Sequence, residues 1–432
     1  MNASPYEVQP LARPPDVMIA LPGSKSYTNR ALLIAALADG QSTIRQALFS
    51  DDTRYMSRAL ELLGIPVRSD EARREFVVAG AGGRIPAGGA ELDVGNAGTA
   101  ARFLTAFLAL GHGRYVLDGS PRMRERPIEP LLEGLRGLGV RARSLLGNGC
   151  PPVVVEAAGL AGGRTTMDGS QSSQFVSALL LVGPAAPRGI EVELVGELVS
   201  RPFVDLTGAS MLAFGAELVN ENYRRLLVPP GQHYRARDYT VEPDATAASY
   251  FLAAAAITGG RVRVAGLGRG SAQGDLGFVE VLDEMGCGVS LGESHVEVTG
   301  PPPNRGLRGV DVDLRAISDT ALTLAAIAPF AEGPVRIRGI GHTRRQESDR
   351  VAAPAAELRR LGARVEESAD SLLIYPSAER LRGVEIATYD DHRMAMSFAL
   401  VGLRVPGVRI QNPACVAKTF PEFFETLERL RS

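Results

Sequence analysis

Two lysines stand out in a chain that otherwise writes its positive charge as arginine. Of 47 basic residues among 432, only Lys25 and Lys418 are lysine. Nucleotide composition accounts for that bias wherever either cation serves. It does not cover a site that needs an ammonium, a compact point charge with three donors and a readily shifted pKa. Both lysines are therefore candidate functional groups. Lys25 lies in Leu21-Pro22-Gly23-Ser24-Lys25-Ser26-Tyr27-Thr28-Asn29-Arg30, which runs into the apolar segment from Ala31 to Leu37. Pro22-Gly23 breaks what precedes, Ser24 or Ser26 can cap, and the residues that follow are strong helix formers. A helix start carrying free N–H groups, hydroxyls, Lys25 and Arg30 suits a phosphate or a carboxylate. It is not a kinase-type phosphate loop, which needs Gly directly before the Lys and another five positions earlier.

Five further segments begin in the same manner. Asn96-Ala97-Gly98-Thr99-Ala100-Ala101-Arg102 has small residues that let a ligand approach the backbone, and Ser170-Gln171-Ser172-Ser173-Gln174 is dense in hydroxyl donors. Asp244-Ala245-Thr246 reads as ordinary capping, and Ser318-Asp319 and Asp390-Asp391-His392-Arg393 add acids and bases. Capping alone explains each of these singly. It does not explain Arg122-Met123-Arg124-Glu125-Arg126-Pro127, Arg344-Arg345-Gln346-Glu347-Ser348-Asp349-Arg350, or Cys415-Val416-Ala417-Lys418-Thr419-Phe420-Pro421. For the two arginine-rich stretches the competing reading is a solvated lattice of surface ion pairs.

The elements that must position these residues repeat. The six helix starts near Ser24, Asn96, Ser170, Asp244, Ser318 and Asp390 are 72 to 74 residues apart. A second family of helix ends, marked by Gly64, Gly139, Gly215, Gly286 and Gly362, recurs every 71 to 76 residues. Each glycine stands where a helix terminus calls for positive φ. The unit reads strand, helix, strand, helix, then a pair of strands, for example Val153 to Val155 with Ile190 to Leu194 and Leu372 to Tyr375 with Val384 to Ile386. Six units make two domains of three. The sixth is cut short after a helix from Pro421 to Leu430, and its missing strands can come from Tyr6 to Gln9 and Val17 to Leu21. Residues 1–20 plus 242–432 are thus expected to form one domain and 21–241 the other. The chain would cross near Leu21-Pro22 and Val241-Glu242-Pro243, a double-stranded hinge, with the active site in the cleft between the domains.

Composition bounds the rest. A formal net charge of −2, 45% hydrophobic and 22% charged residues describe a globular chain, and argue against a general nucleic-acid or membrane-surface binder. No run is long and apolar enough to span a bilayer and the first residues lack a secretion core, so the expected compartment is the cytoplasm. Cys150, Cys287 and Cys415 are far apart, and the five histidines are scattered without HExxH spacing. No metal is expected.

The motifs LPGSKSYTNRALL, NAGTAAR, PRMRERPIEPL, DGSQSSQF, SRPF, ESDR, DDHRMAM and AKTFPEFFE, in this order from about Leu21 to the end, resemble the 5-enolpyruvylshikimate-3-phosphate synthase (3-phosphoshikimate 1-carboxyvinyltransferase) family. The resemblance implies an α/β fold of two similar domains, each of three βαβαββ units, the inside-out α/β barrel of enolpyruvyl transferases. It implies transfer of the enolpyruvyl group of phosphoenolpyruvate to the 5-hydroxyl of shikimate 3-phosphate, without metal or organic cofactor, by a protein expected to be a monomer.

Carried over by motif, Lys25 would touch the reacting hydroxyl and the leaving phosphate, with Ser26 and Arg30 on the shikimate carboxylate. Ser172, Ser173, Gln174 and Ser200 would bind the 3-phosphate. Gly98 and Arg126 would face the phosphate of phosphoenolpyruvate, with Asn96 close by, and Arg350, Arg393 and Lys418 would hold its carboxylate side. Asp319 resembles the base for the 5-hydroxyl, and Glu347 the acid and base at C3. Gln346 stands on the shikimate-phosphate side where the family commonly has Lys, which leaves Arg201 or Arg345 to compensate. His342 replaces a common Asn, Phe203 a frequent Tyr, and Phe103 a frequent Pro. Gly98 implies sensitivity to glyphosate. The related transferase acting on UDP-N-acetylglucosamine is disfavoured because the loop from Arg122 to Pro127 has no Cys. A non-catalytic anion-binding scaffold is disfavoured by the two candidate proton-transfer acids.

Overall fold

The computed structural model describes residues 4–302 and 305–431. Internal contacts divide the chain into two compact units, one running up to Pro22 and resuming at Pro243, the other from Gly23 to Glu242.

The unit from Gly23 to Glu242 contains helices α1 (Lys25–Leu37), α2 (Asp51–Leu62), α3 (Gly98–Leu108), α4 (Glu129–Gly137), α5 (Ser173–Val182) and α6 (Pro202–Ala213). They alternate in kind. Every residue of α1 from Tyr27 onward, all of α3, and all of α5 except Gln174 are buried. By contrast α2 and α4 are amphipathic, with Asp51 and Glu129 in their first turns and one apolar face inward. A helix that is apolar and small all round, such as α1 with its Ala-Leu-Leu-Ile-Ala-Ala run, has no face to give to water and becomes the core.

Each of the three sheets has one plan. Gly89–Asp93 lies parallel to His112–Asp118, which is antiparallel to Val153–Ala158, itself antiparallel to Arg141–Ser144. Gly163–Asp168, Ile190–Val195, Arg225–Val228 and Val219–Glu221 repeat this order. So do Asp238–Thr240, Asp39–Arg45, Glu75–Ala81 and Val67–Asp70. Where consecutive strands are parallel, a buried helix makes the crossover, as a parallel pair requires.

The other unit holds α7 (Ala245–Thr258), α8 (Phe278–Glu284), α9 (Ala321–Ile327), α10 (Ala352–Leu361), α11 (His392–Gly402) and α12 (Phe423–Glu428). Here α7, α9 and α11 are the buried helices, around a second hydrophobic core. Asp16–Ile19 pairs parallel with Arg261–Ala265, completing the sheet that contains His295–Thr299 and Gly288–Leu291. Asp311–Asp313, Val335–Arg338, Leu372–Ile374 and Val365–Glu367 form the next. The last has three strands, Glu385–Ile386, Arg409–Ile410 and Tyr6–Glu7.

The repeat-ending glycines Gly64, Gly139, Gly215, Gly286 and Gly362 all have positive φ, between 84° and 104°. Three expectations are corrected. Val153–Ala158 does not pair with Ile190–Val195, nor Leu372–Ile374 with Glu385–Ile386, because each last strand folds back into its own repeat. Only Tyr6–Glu7 fills the truncated sixth sheet; Asp16–Ile19 serves the fourth. The final α-helix is shorter than expected, Phe423–Glu428, followed by a 3-10 turn over Arg429–Arg431.

Candidate active site

In the unit from Gly23 to Glu242, Ser24 occupies the N-cap of α1 with extended backbone angles, and its side chain makes no capping bond. Gly23 is required there, since a Cβ would collide with the carbonyl oxygen of Gln46. Lys25 Nζ lies 3.5 Å from Oδ2 of buried Asp52, at the start of α2. One turn on, Arg30 is 2% exposed. It donates from Nε to Thr207 Oγ1 (2.9 Å), from Nη1 to the Ser26 carbonyl (3.0 Å) and from Nη2 to the Phe203 carbonyl (3.0 Å), and stands over the Phe103 ring. These acceptors are neutral. Among the described residues no carboxylate pairs with Arg30, and burial pulls its pKa down to about 9. A buried positive charge without a counter-ion is costly, and an anion bound at this helix end would relieve it.

Asn96, Gly98 and Arg126 meet at the start of α3. Arg126 Nη1 donates to the backbone oxygen of Asn96 (3.0 Å) and to its Oδ1 (3.1 Å). Its guanidinium lies so close to Gly98 that a Cβ there would be 2.5 Å from Nη2 and 2.9 Å from Cζ. The other two arginines of that stretch face outward in ion pairs, Arg122 with Glu125 at 2.7 Å and Arg124 with Asp118 at 2.5 Å. Such exposed pairs contribute little stability. The lattice reading thus fits two of the three. Arg102, read only as part of a helix start, fastens the loop by donating to the Pro127 carbonyl at 2.6 Å.

Ser172 caps α5, its Oγ accepting from Gln174 N at 3.2 Å, and Ser173 is buried in the first turn. Ser200 has φ of 51°, a left-handed conformation uncommon for a residue with a side chain. Its neighbour Val199 donates to the Gly169 carbonyl at 3.1 Å, tying this turn to the loop before Ser172. Arg201 is exposed and pairs with Glu197 at 3.4 Å.

The other unit carries the acids. Arg350, 2% exposed, joins three carboxylates: Asp319 at 3.2 Å, Glu347 at 3.0 Å and Asp391 at 2.8 Å. Asp319 also binds Arg393 Nη2 at 2.6 Å, and Glu347 lies 3.9 Å from Lys418 Nζ. Gln346 accepts from Arg350 Nη1 and brings no charge to the network, while Arg345 is exposed. Burial alone would lower the pKa values of Arg350 and Arg393. The carboxylates of Asp391 and Glu347 reverse this for Arg350, as Asp319 does for Arg393, and both arginines titrate above their usual range.

Asp391 is a hub missed in the sequence. It accepts from Arg350 Nε and Nη2, from Ser348 Oγ at 2.9 Å, and from the backbone N–H of Arg393 at 2.9 Å as the cap of α11. A capping Asp is expected at any helix start, which hid its second role. His342 Nε2 is 3.0 Å from Ser318 Oγ, and burial holds its pKa below the usual value.

The predicted site residues thus fall into two sets. Lys25, Ser26, Arg30, Asn96, Gly98, Arg126, Ser172, Ser173, Gln174 and Ser200 belong to the first unit described, and Asp319, Gln346, Glu347, Arg350, Arg393 and Lys418 to the second. Among the described residues no three His, Cys, Asp or Glu side chains are grouped as metal ligands would be.

Repeated βαβαββ sheets around buried helices, with cations and paired acids at the helix starts, define an enolpyruvyl transferase-like α/β protein. The sequence profile of EPSP synthase (3-phosphoshikimate 1-carboxyvinyltransferase) matches residues 15–427, and the chain belongs to that family. It is 48% identical to the 3-phosphoshikimate 1-carboxyvinyltransferase of Trichormus variabilis, covering 96% of each chain. It is 46% identical to the chloroplastic enzyme of that name from Arabidopsis thaliana, over 99% of this chain and 85% of the other. The solved EPSP synthase of Acinetobacter baumannii superposes with a TM-score of 0.82 at 25% identity, covering 100% of this chain and 98% of that one. The enolpyruvyl transferase NikO of Streptomyces tendae shares the fold, with a TM-score of 0.76 at 21% identity over 99% and 97% of the two chains.

Proposed function

We propose that this transferase moves the enolpyruvyl group of phosphoenolpyruvate to the 5-hydroxyl of shikimate 3-phosphate, a step of aromatic amino-acid biosynthesis. The observation that carries the chemistry is the pair of acids in one cationic network: Asp319 between Arg350 and Arg393, and Glu347 between Arg350 and Lys418. A carboxylate gripped by two cations is a weak base. A substrate carboxylate that engages Arg350, Arg393 and Lys418 would share those cations and make both acids more basic.

Asp319 then takes the proton of the 5-hydroxyl as the hydroxyl oxygen bonds to C2 of phosphoenolpyruvate, while Glu347, which picks up a proton once substrate has drawn its two cations away, gives that proton to C3. In the elimination Glu347 recovers a proton from C3, the bond from C2 to the phosphate oxygen breaks, and inorganic phosphate leaves as Asp319 gives up its proton to it through solvent, which restores the base. Lys25, beside both the reacting hydroxyl and the leaving group, stabilises the departing charge together with Arg126 near Gly98 and Asn96. Arg30 and Ser26 neutralise the shikimate carboxylate, which supplies the counter-ion Arg30 lacks. Ser172, Ser173, Gln174 and Ser200 donate to the 3-phosphate, and Gln346 acts as a neutral neighbour of Arg350.

We further propose a cytoplasmic monomer; among the described residues no helix is long and apolar enough to cross a membrane. The test is phosphate release from phosphoenolpyruvate by the purified protein, run in parallel with shikimate 3-phosphate and with UDP-N-acetylglucosamine. Release with the first acceptor alone supports the proposal. Binding of both substrates without release would instead support an anion-binding scaffold.

A further inference from the structure

Behind Asp319 lies a carboxyl group for which the chemistry above has no use. Asp275 is 5% exposed and sits in the turn Gly274–Gly277, which packs on α7 and on the turn Ser318–Thr320 that carries Asp319. The site is tightly built. Gln273 accepts from Ala245 N–H at 3.1 Å and donates to the Pro243 carbonyl at 2.8 Å, so the turn is fixed to the start of α7. Thr246 Oγ1 donates to Asp275 Oδ2. The other oxygen, Oδ1, is buried and has no hydrogen-bond partner among the described residues. A purely structural carboxylate would have its oxygens satisfied; an orphaned buried oxygen fits a group that holds a proton in one state and a charge in another.

We propose that Asp275 is a positioning residue for Asp319, its charge state setting by repulsion how readily Asp319 accepts the substrate proton. This rests on the reading of Asp319 as the base for the hydroxyl. Burial first, and then the charge of Asp319, raise the Asp275 pKa to about 7; Asp244, at the cap of α7, pushes the same way. Thr246 from α7 and Arg393 from α11 pull it down. His342, reached through Ser318, is held below its usual value by burial and is neutral at pH 7. Two carboxyl groups so coupled titrate as a pair. With Asp275 neutral, Asp319 is held by Arg350 and Arg393 without that repulsion and is a poor base. With Asp275 ionised, Asp319 is more basic, and once Asp319 takes the hydroxyl proton the repulsion is relieved.

The test compares the wild-type enzyme with Asp275→Asn, which keeps the shape and the acceptor for Thr246 but cannot ionise. kcat/KM for phosphate release is measured from pH 6 to 8.5, and the ratio of wild type to variant is plotted, so that ionisation of the substrate phosphates cancels. The ratio is expected to rise from near one to roughly threefold or more, with a midpoint near pH 7. Thr246→Val, which removes the bond favouring the charged form, should move that midpoint upward, and His342→Asn should leave it in place. A ratio flat across the range, with both proteins folded and turning over, overturns the inference.

A second readout does not depend on turnover. The stability gap between wild type and Asp275→Asn should stop widening near pH 7, and at least one pH unit lower when both also carry Asp319→Asn. An unchanged limit in the Asp319→Asn background overturns the coupling. An inactive wild type that still shows the shifted limit would overturn the proposed function instead.

Discussion

Replacing Gly98 by Ala tests the proposed phosphate end of the site at a point where the geometry fixes the size of the effect. The added methyl carbon would sit 2.5 Å from Arg126 Nη2 and 2.9 Å from its Cζ. A comfortable contact is about 3.5 Å or more, so the guanidinium must retreat by about 1 Å. Arg126 is held by two bonds to Asn96, of 3.0 and 3.1 Å, and the retreat carries both beyond useful length. Hydrogen bonds to a charged group contribute about 1.5–3 kcal/mol each. The same retreat draws the guanidinium away from the phosphate it is proposed to hold, so the loss on binding is on the order of one such bond. At 1.4 kcal/mol per factor of ten this raises the KM for phosphoenolpyruvate roughly 10- to 100-fold. Because the lost contact serves bound substrate and transition state alike, kcat should change much less. Glyphosate, a mimic of phosphoenolpyruvate crowded by the same methyl group, should inhibit the variant less. The assay is steady-state phosphate release with phosphoenolpyruvate varied, with and without inhibitor. If KM and the inhibition constant both stay within twofold of wild type, Arg126 is not the phosphate ligand and the reasoning fails.

Lys25→Arg should lose most activity although the charge is kept, because a planar guanidinium cannot take the place of an ammonium 3.5 Å from Asp52; near-normal turnover would refute the weight given to the two lysines. Asp391→Asn leaves buried Arg350 short of one of its three carboxylates, so chemical denaturation should show a loss of about 3–5 kcal/mol, the usual result of breaking a buried pair. A loss below 1 kcal/mol would mean that Asp391 is only a cap. Asp275 has a folded-state pKa of about 7 against about 3.9 unfolded. The folded protein therefore binds the extra proton between these values, and its stability falls as pH rises from 4 to 7. At 1.36 kcal/mol per unit this amounts to about 4 kcal/mol, and Asp275→Asn should lack this component in denaturant titrations at a series of pH values.

The periodic features of this chain were legible because the repeat is written in residue types with few substitutes. A glycine at each repeat-ending helix terminus is demanded by φ between 84° and 104°, and the apolar bodies of the buried helices admit no polar face. Strand pairing was not legible in the same way. Val153–Ala158 and Ile190–Val195 are both short apolar runs, and nothing in their composition tells an antiparallel neighbour from a strand of the next sheet. What decides is the crossover: Ile190–Val195 follows α5 and so lies parallel to Gly163–Asp168, the strand that leads into α5. Asp16–Ile19 likewise precedes α1 in sequence, yet pairs with Arg261–Ala265.

The candidate site divides along a similar line. The two lysines are singled out by counting, since two among 47 basic residues are conspicuous, and the arginines by their motifs. The acids that organise them were found less completely, because Asp391 and Asp275 look like any helix cap or turn residue until a distant partner is known. Their physical burdens also differ. Arg30 is buried with no carboxylate partner among the described residues, and a bound anion would supply one. Arg350 and Arg393, by contrast, are paired with Asp319, Glu347 and Asp391, so in the proposed chemistry an incoming carboxylate would have to compete for them. That competition gives binding a chemical consequence. Each cation drawn toward substrate is withdrawn from an acid, and the acid becomes a better base only when there is a proton to take.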